Sequence, residues 1–133
     1  MSMKKMMHAY TNSDREAVAE SNDPVAIVAL LFDELIRNMQ EFVRQSSAED
    51  MNSEARSKHF SKSLSIIYAL QSSLNFEQGG EIADNLFRLY EYARQQMLQD
   101  WKEKEFEKTK QAITVLDDIR DAWHQISRKG AAE

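Results

Sequence analysis

The stretch SSLNFEQGGEIADNLFRLYEYA, Ser72 to Ala93, carries the end of one amphipathic segment and the start of the next, with Gly79-Gly80 between them. Apolar residues on either side recur every three or four positions, the period of a helix with one buried face. At least one of the two glycines is expected to relieve a positive φ where the first helix ends. The reading is helix, short link, helix, and short links make antiparallel neighbours.

Working outward from that link, the upstream helix runs from about Glu49 or Asn52 to Leu74. Phe60, Leu64, Ile67 and Leu74 line its seam, widened by Ile66 and Leu70 on one side and Tyr68 on the other. The downstream helix spans about Glu81 to Lys102, with Ile82, Leu86, Leu89, Ala93 and Met97 inward and Phe87, Tyr90, Leu98 and Trp101 on other parts of its surface. Before these, Asp23-Pro24 opens a first helix: Asp23 caps free amides, and Pro24 suits the first helical position, where its missing N–H costs nothing. That helix continues to about Arg44, with Val25, Val28, Ala29, Phe32, Ile36, Met39 and Val43 in one stripe and Leu31, Leu35 and Phe42 in a second. The fourth helix covers about Glu105 to Ser127, with Ala112, Leu116, Ile119, Trp123 and Ile126 on its apolar face. The expected fold is all-α: an elongated antiparallel up-down four-helix bundle over 23–127, preceded by a mobile segment 1–22 and followed by a disordered tail 128–133. A short helix is expected near Asp14 to Ala19.

Composition agrees with that class. Three Gly and one Pro in 133 residues leave few helix breakers. The net charge of −5, from 17 basic and 22 acidic residues without a basic stripe, argues against a nucleic-acid partner. Without Cys there is no disulfide framework and no thiolate. The start MSMKKMMHAY has no apolar run after its lysines, and the longest apolar run, Val25 to Phe32, is too short to cross a bilayer. No membrane insertion is expected, and the expected compartment is the cytoplasm.

No catalytic or cofactor constellation is legible. A dinuclear metal site in a bundle needs two Glu-x-x-His pairs. None of His8, His59 and His124 follows a Glu at that spacing, and Asp121-x-x-His124 stands alone, so both are read as solvated polar face. The pairs Asp33-Glu34, Glu49-Asp50 and Asp117-Asp118 point about 100° apart on a helix and do not converge for acid–base work. No metal, no cofactor and no enzyme activity are expected.

What remains is a surplus of apolar surface. A bundle helix needs a stripe a little over about 100° wide, and the first helix carries nearer ~200°. Either that helix is central and packed on both sides, or part of the surface is a groove for another helix, covered by the Met-rich N-terminus. Met6, Met7 and Tyr10 are the apolar residues of that segment that would dock there, because Met adapts to irregular surfaces.

Tyr10, SNDPVAIVALLFDELI from Ser21 to Ile36, the stretch quoted first, and LDDIRDAW from Leu116 to Trp123 together resemble the flagellin export chaperones, the FliS family, over most of the chain. The central piece is the specific one. The resemblance implies a cytoplasmic chaperone that binds the disordered C-terminal part of flagellin, prevents premature polymerisation and presents the subunit to the export gate. The free protein is then expected to be a monomer. It further implies that Tyr10, with Met6 and Met7, belongs to a lid that competes with the client, and that Leu64, Tyr68 and Phe87 belong to the groove. On that reading Tyr10→Ala changes flagellin affinity and leaves stability within about 0.5 kcal/mol, as at a peripheral site. The alternative is a self-associating helical regulator or scaffold with no flagellin client, its broad faces forming a homodimer seam.

Overall fold

A computed structural model of the chain describes residues 9–10 and 24–132, with side chains given from 26 to 125 and for 9–10. Met6, Met7 and the expected short helix near Asp14 lie outside the described residues. Four long helices follow one another: α1 Pro24–Ser47, α2 Ser53–Ser72, α3 Phe76–Glu103 and α4 Glu107–Ala132. Ala9 and Tyr10 are helical as well.

Each helix buries positions spaced alternately three and four apart. On α3 these are Ala83, Leu86, Tyr90, Ala93, Met97 and Asp100; on α2, Arg56, Phe60, Ser63, Ile67 and Leu70. This spacing keeps one seam facing its neighbours along the helix, as in knobs-into-holes packing. α1 and α3 each pack against both α2 and α4. The α1–α2 contacts run in opposite sequence directions, with Ser46 bonded to Arg56, Phe42 against Phe60 and Asn38 bonded to His59. Gln71 with Glu91 and Phe60 with Trp101 show the same reversal between α2 and α3.

Most of the apolar surplus on α1 belongs to the bundle itself. Val28, Ala29, Phe32, Leu35, Ile36, Met39 and Phe42 are all buried, so the two expected stripes are one wide core face. Phe32 reaches across to Tyr90 of α3, ring centroids 6.0 Å apart. Only Ile27 and Leu30 remain exposed among the described large hydrophobics of α1.

Several boundaries differ from the sequence reading: α1 runs three residues past Arg44 to Ser47, and α2 stops at Ser72, two residues short of Leu74. α3 begins at Phe76, not Glu81, because the Asn75 side chain accepts from the Gln78 amide and caps the helix there. Gly80, at φ +48°, then kinks the helix without ending it. α4 starts at Glu107, two residues later than expected, and its backbone stays helical to Ala132, past the end expected near Ser127.

The turn between α3 and α4 is held by Asp100. Its Oδ2 accepts from the Thr109 amide and the Thr109 hydroxyl, both at 2.7 Å, so the first turn of α4 is capped from the preceding helix. Lys104 takes the left-handed conformation, φ 57°, and closes α3. At the same end the Arg56 guanidinium lies between the rings of Phe42 and Trp101, 4.8 and 4.7 Å from their centroids. It donates to Ser46 Oγ and to the Asp100 carbonyl. Burial pushes Arg56 below its ordinary value, and the Asp100 charge opposes that.

Candidate partner-binding site

The opposite end of the bundle holds a slot filled by the protein's own N-terminal residues. Ala9 is fully buried and Tyr10 is 2% exposed. The Tyr10 hydroxyl lies 3.0 Å from the Leu70 carbonyl and 2.7 Å from the Tyr90 hydroxyl. A carbonyl only accepts, so the single Tyr10 proton goes to Leu70 and the Tyr90 hydroxyl donates to Tyr10. The Tyr10 ring packs edge-on against Trp123, centroids 5.5 Å apart. Burial pushes both phenols above their ordinary value, with Tyr90 adding to the effect at Tyr10, so the relay is a neutral one.

The stretch that opens α3 forms the slot's floor. The Asn75 amide donates to the Ala9 carbonyl at 2.8 Å. Gly79 lies beneath Ala9, and a methyl group added there would fall 2.7 Å from the Ala9 Cα and 2.9 Å from the Ala83 Cβ. Carbon atoms do not approach that closely. The two glycines therefore serve different ends: Gly80 supplies the positive φ, and Gly79 supplies room.

Tyr10 is thus a core residue, which corrects the expectation of a peripheral position. A phenol inside a core must find hydrogen-bond partners, and it finds them on α2 and α3. Tyr90 is corrected for the same reason. Local periodicity puts it off the inner seam of α3, but it is fully buried and paired with Tyr10. Of the residues around the slot, Ala9, Leu70, Asn75, Gly79, Tyr90 and Trp123, none was picked out as a site residue from sequence. The one local signal was a second glycine beyond the one the turn required.

The other candidates lie elsewhere. Leu64 is half-buried against the core, Tyr68 is 72% exposed, and Phe87 is exposed beside Phe76, centroids 6.2 Å apart. Leu64, Tyr68 and Gln71 succeed one another at helical spacing on α2, and the Gln71 side chain donates to the Phe87 carbonyl and to Glu91 on α3. Gln71 and Phe87 thus meet at the α2–α3 seam, and Leu64 and Tyr68 share the α2 face of Gln71.

Glu91 anchors that seam. Hydrogen bonds from Arg94 first, and from Gln71 and Gln95 as well, hold its carboxyl down at about 2 against the opposing effect of burial. The folded-state value lies below that of the unfolded chain, so the stabilising contribution is complete above the unfolded carboxylate range and disappears as pH falls towards about 2. Glu91→Gln should therefore flatten the fall in stability between pH 5 and pH 3. Urea midpoints at the two pH values measure this, and an unchanged slope would contradict it. The effect should be small, because the pair is partly open to solvent.

A third group lines an open polar cleft between α1 and α4. His124 Nε2 lies 2.8 Å from Asp33 Oδ1, and Arg120 bonds Asp117 at 2.6 Å. His124 is therefore half-buried and paired across helices, not a free solvated side chain, whereas Asp121 is exposed as expected. Asp33 and Glu34 do not converge, since Glu34 pairs with Arg37 on its own helix. No group of acidic or histidine side chains among the described residues is arranged to hold a metal ion. No described helix is long and apolar enough to cross a membrane.

Fold and slot first define a class: a small all-helical bundle that holds a short piece of its own N-terminal region in an apolar recess. Residues 6–130 match the family model described as flagellar protein FliS, and the chain belongs to that family of flagellar secretion chaperones. It is 31% identical over 128 residues to the flagellar secretion chaperone FliS of Salmonella typhimurium, covering 92% of this chain and 90% of the relative. It is 27% identical over 124 residues to the FliS of Vibrio cholerae, covering 93% and 90%.

Proposed function

We propose that the protein is a cytoplasmic export chaperone that binds the disordered C-terminal region of flagellin, keeps the subunit from polymerising early and assists its delivery to the export apparatus. The observation that supports this reading is the slot occupied by Ala9 and Tyr10: a recess that holds two helical residues of this chain would suit a helical segment of a client. Exposed Tyr68, Phe76 and Phe87 extend the apolar surface along α2 and α3, where a longer client would continue. A client that folds on binding buries on the order of 1,000–3,000 Å² and gives back several kcal/mol in ordering, which leaves the complex stable yet releasable.

Isothermal titration of the full chain with a peptide of the flagellin C-terminal region should give saturable one-to-one binding, and size-exclusion chromatography should show a monomer shifting to a one-to-one complex. A dimer that ignores the peptide would favour the self-associating scaffold instead. Tyr68→Ala should weaken the client by about five- to tenfold, as an exposed aromatic anchor does. Its melting curve should stay close to the parent's, because Tyr68 is 72% exposed. Unchanged affinity would remove Tyr68 from the client surface.

A further inference from the structure

We infer that the α2–α3 junction is a reading site for a small-residue–tyrosine step on a helix, with Gly79 setting its size limit. The ligand class is a helical peptide segment that presents Ala, Gly or Ser followed by Tyr, and Ala9-Tyr10 is the copy of that step that the chain carries itself.

Three independent contacts define what the site accepts. The Leu70 carbonyl and Tyr90 hydroxyl select a ring that ends in a hydroxyl, because a Phe would leave both without their partner. The Asn75 amide, just ahead of α3, takes the backbone carbonyl of the residue before that tyrosine, which fixes the register. The bare Gly79 lies against the Cα of that same residue, and an added Cβ would stand 2.7 Å from it. Backbone in that position cannot move away as a side-chain tip can. Ala9 is itself fully enclosed, so a larger residue there has no space to extend into. Hydroxyl, register and size are therefore read by α2, by the residue that caps α3, and by the first turn of α3.

The inference rests on the proposed function only for the identity of the client; the site's selectivity is tested without it. Hydrogen exchange on the full chain should show the amides of residues 9 and 10 exchanging at least tenfold faster in Ala9→Leu and in Gly79→Ala than in the parent, while α1 keeps its protection. Ala9→Leu leaves every helix of the bundle unaltered, so it decides the matter if Gly79→Ala should fail to fold. Retained protection of residues 9 and 10 in Ala9→Leu would overturn the inference. A synthetic peptide of residues 1–22 should then bind the Ala9→Leu chain. The same peptide with Tyr10→Phe should bind several-fold more weakly, and with Ala9→Leu at least tenfold more weakly. Equal binding of all three peptides would also overturn it. Flagellin C-terminal peptide is the separate arm. Tighter binding to Ala9→Leu than to the parent places the client at this site. Equal affinity removes competition at the slot from the functional reading and leaves the small-residue–tyrosine selectivity standing.

Discussion

Tyr10→Ala should destabilise the protein by about 3 kcal/mol, the range of a buried aromatic truncated to Ala. The substitution empties a space bounded by Trp123, Tyr90 and the Leu70 carbonyl, and it leaves two buried polar groups without the bonds they now make. The loss has a ceiling. Once the residues around position 10 no longer hold, they can leave the slot altogether, and the cost then cannot exceed their docking free energy. Tyr10→Phe keeps the ring and should cost about 1 kcal/mol, the net worth of a buried hydrogen bond. Urea unfolding followed by far-UV circular dichroism measures both, and the Ala variant should melt roughly 10 °C lower for a chain of this size. A loss under about 0.5 kcal/mol would return Tyr10 to the periphery, where sequence alone had placed it.

Asp100→Ala should cost a similar amount, about 2–4 kcal/mol, at the other end of the bundle. Asp100 is fully buried, and its Oδ2 is the partner of two Thr109 donors that the truncation would orphan inside the protein. Its charge also offsets the burial of the Arg56 guanidinium, which lies between Phe42 and Trp101. A buried cation left without its counter-charge is a strongly destabilising defect. Asp100→Asn should be milder, because its amide oxygen still accepts from Thr109 while the charge is lost. Equal destabilisation by Asn and Ala would assign the effect to charge alone; a milder Asn would give the capping bonds their own share. Client affinity should be unaffected in either variant, since Asp100 and the slot are at opposite ends of α3.

The two ends illustrate how differently the chain discloses its parts. The α1 core face could be read almost residue by residue, because Val28, Phe32, Ile36 and Met39 meet no competing signal at helical spacing. Tyr90 could not. Periodicity placed Ile82, Leu86, Leu89, Ala93 and Met97 on the inner seam; Leu86, Ala93 and Met97 are buried there, but Ile82 and Leu89 are only half-buried and the seam passes through Tyr90 instead. A tyrosine becomes core only when something supplies a hydrogen-bond partner, and that partner is eighty residues away. Arg56 and Asp100 follow the same rule: nothing local marks either charged residue as core, and each is buried by rings or donors from other helices.

The sequence by itself determined the helical class, the order of the four helices and, through the Ser72 to Ala93 stretch, the family. These depend on local spacing and on residue types that act within a few positions of one another. Only the tertiary structure decided that Tyr10 lies inside the protein, that Gly79 is a notch for Ala9, and that Asp100 caps a helix it does not belong to. Each of those facts is a contact between segments distant in the chain. The free energy of such a contact comes from burial and hydrogen bonding that no local pattern contains.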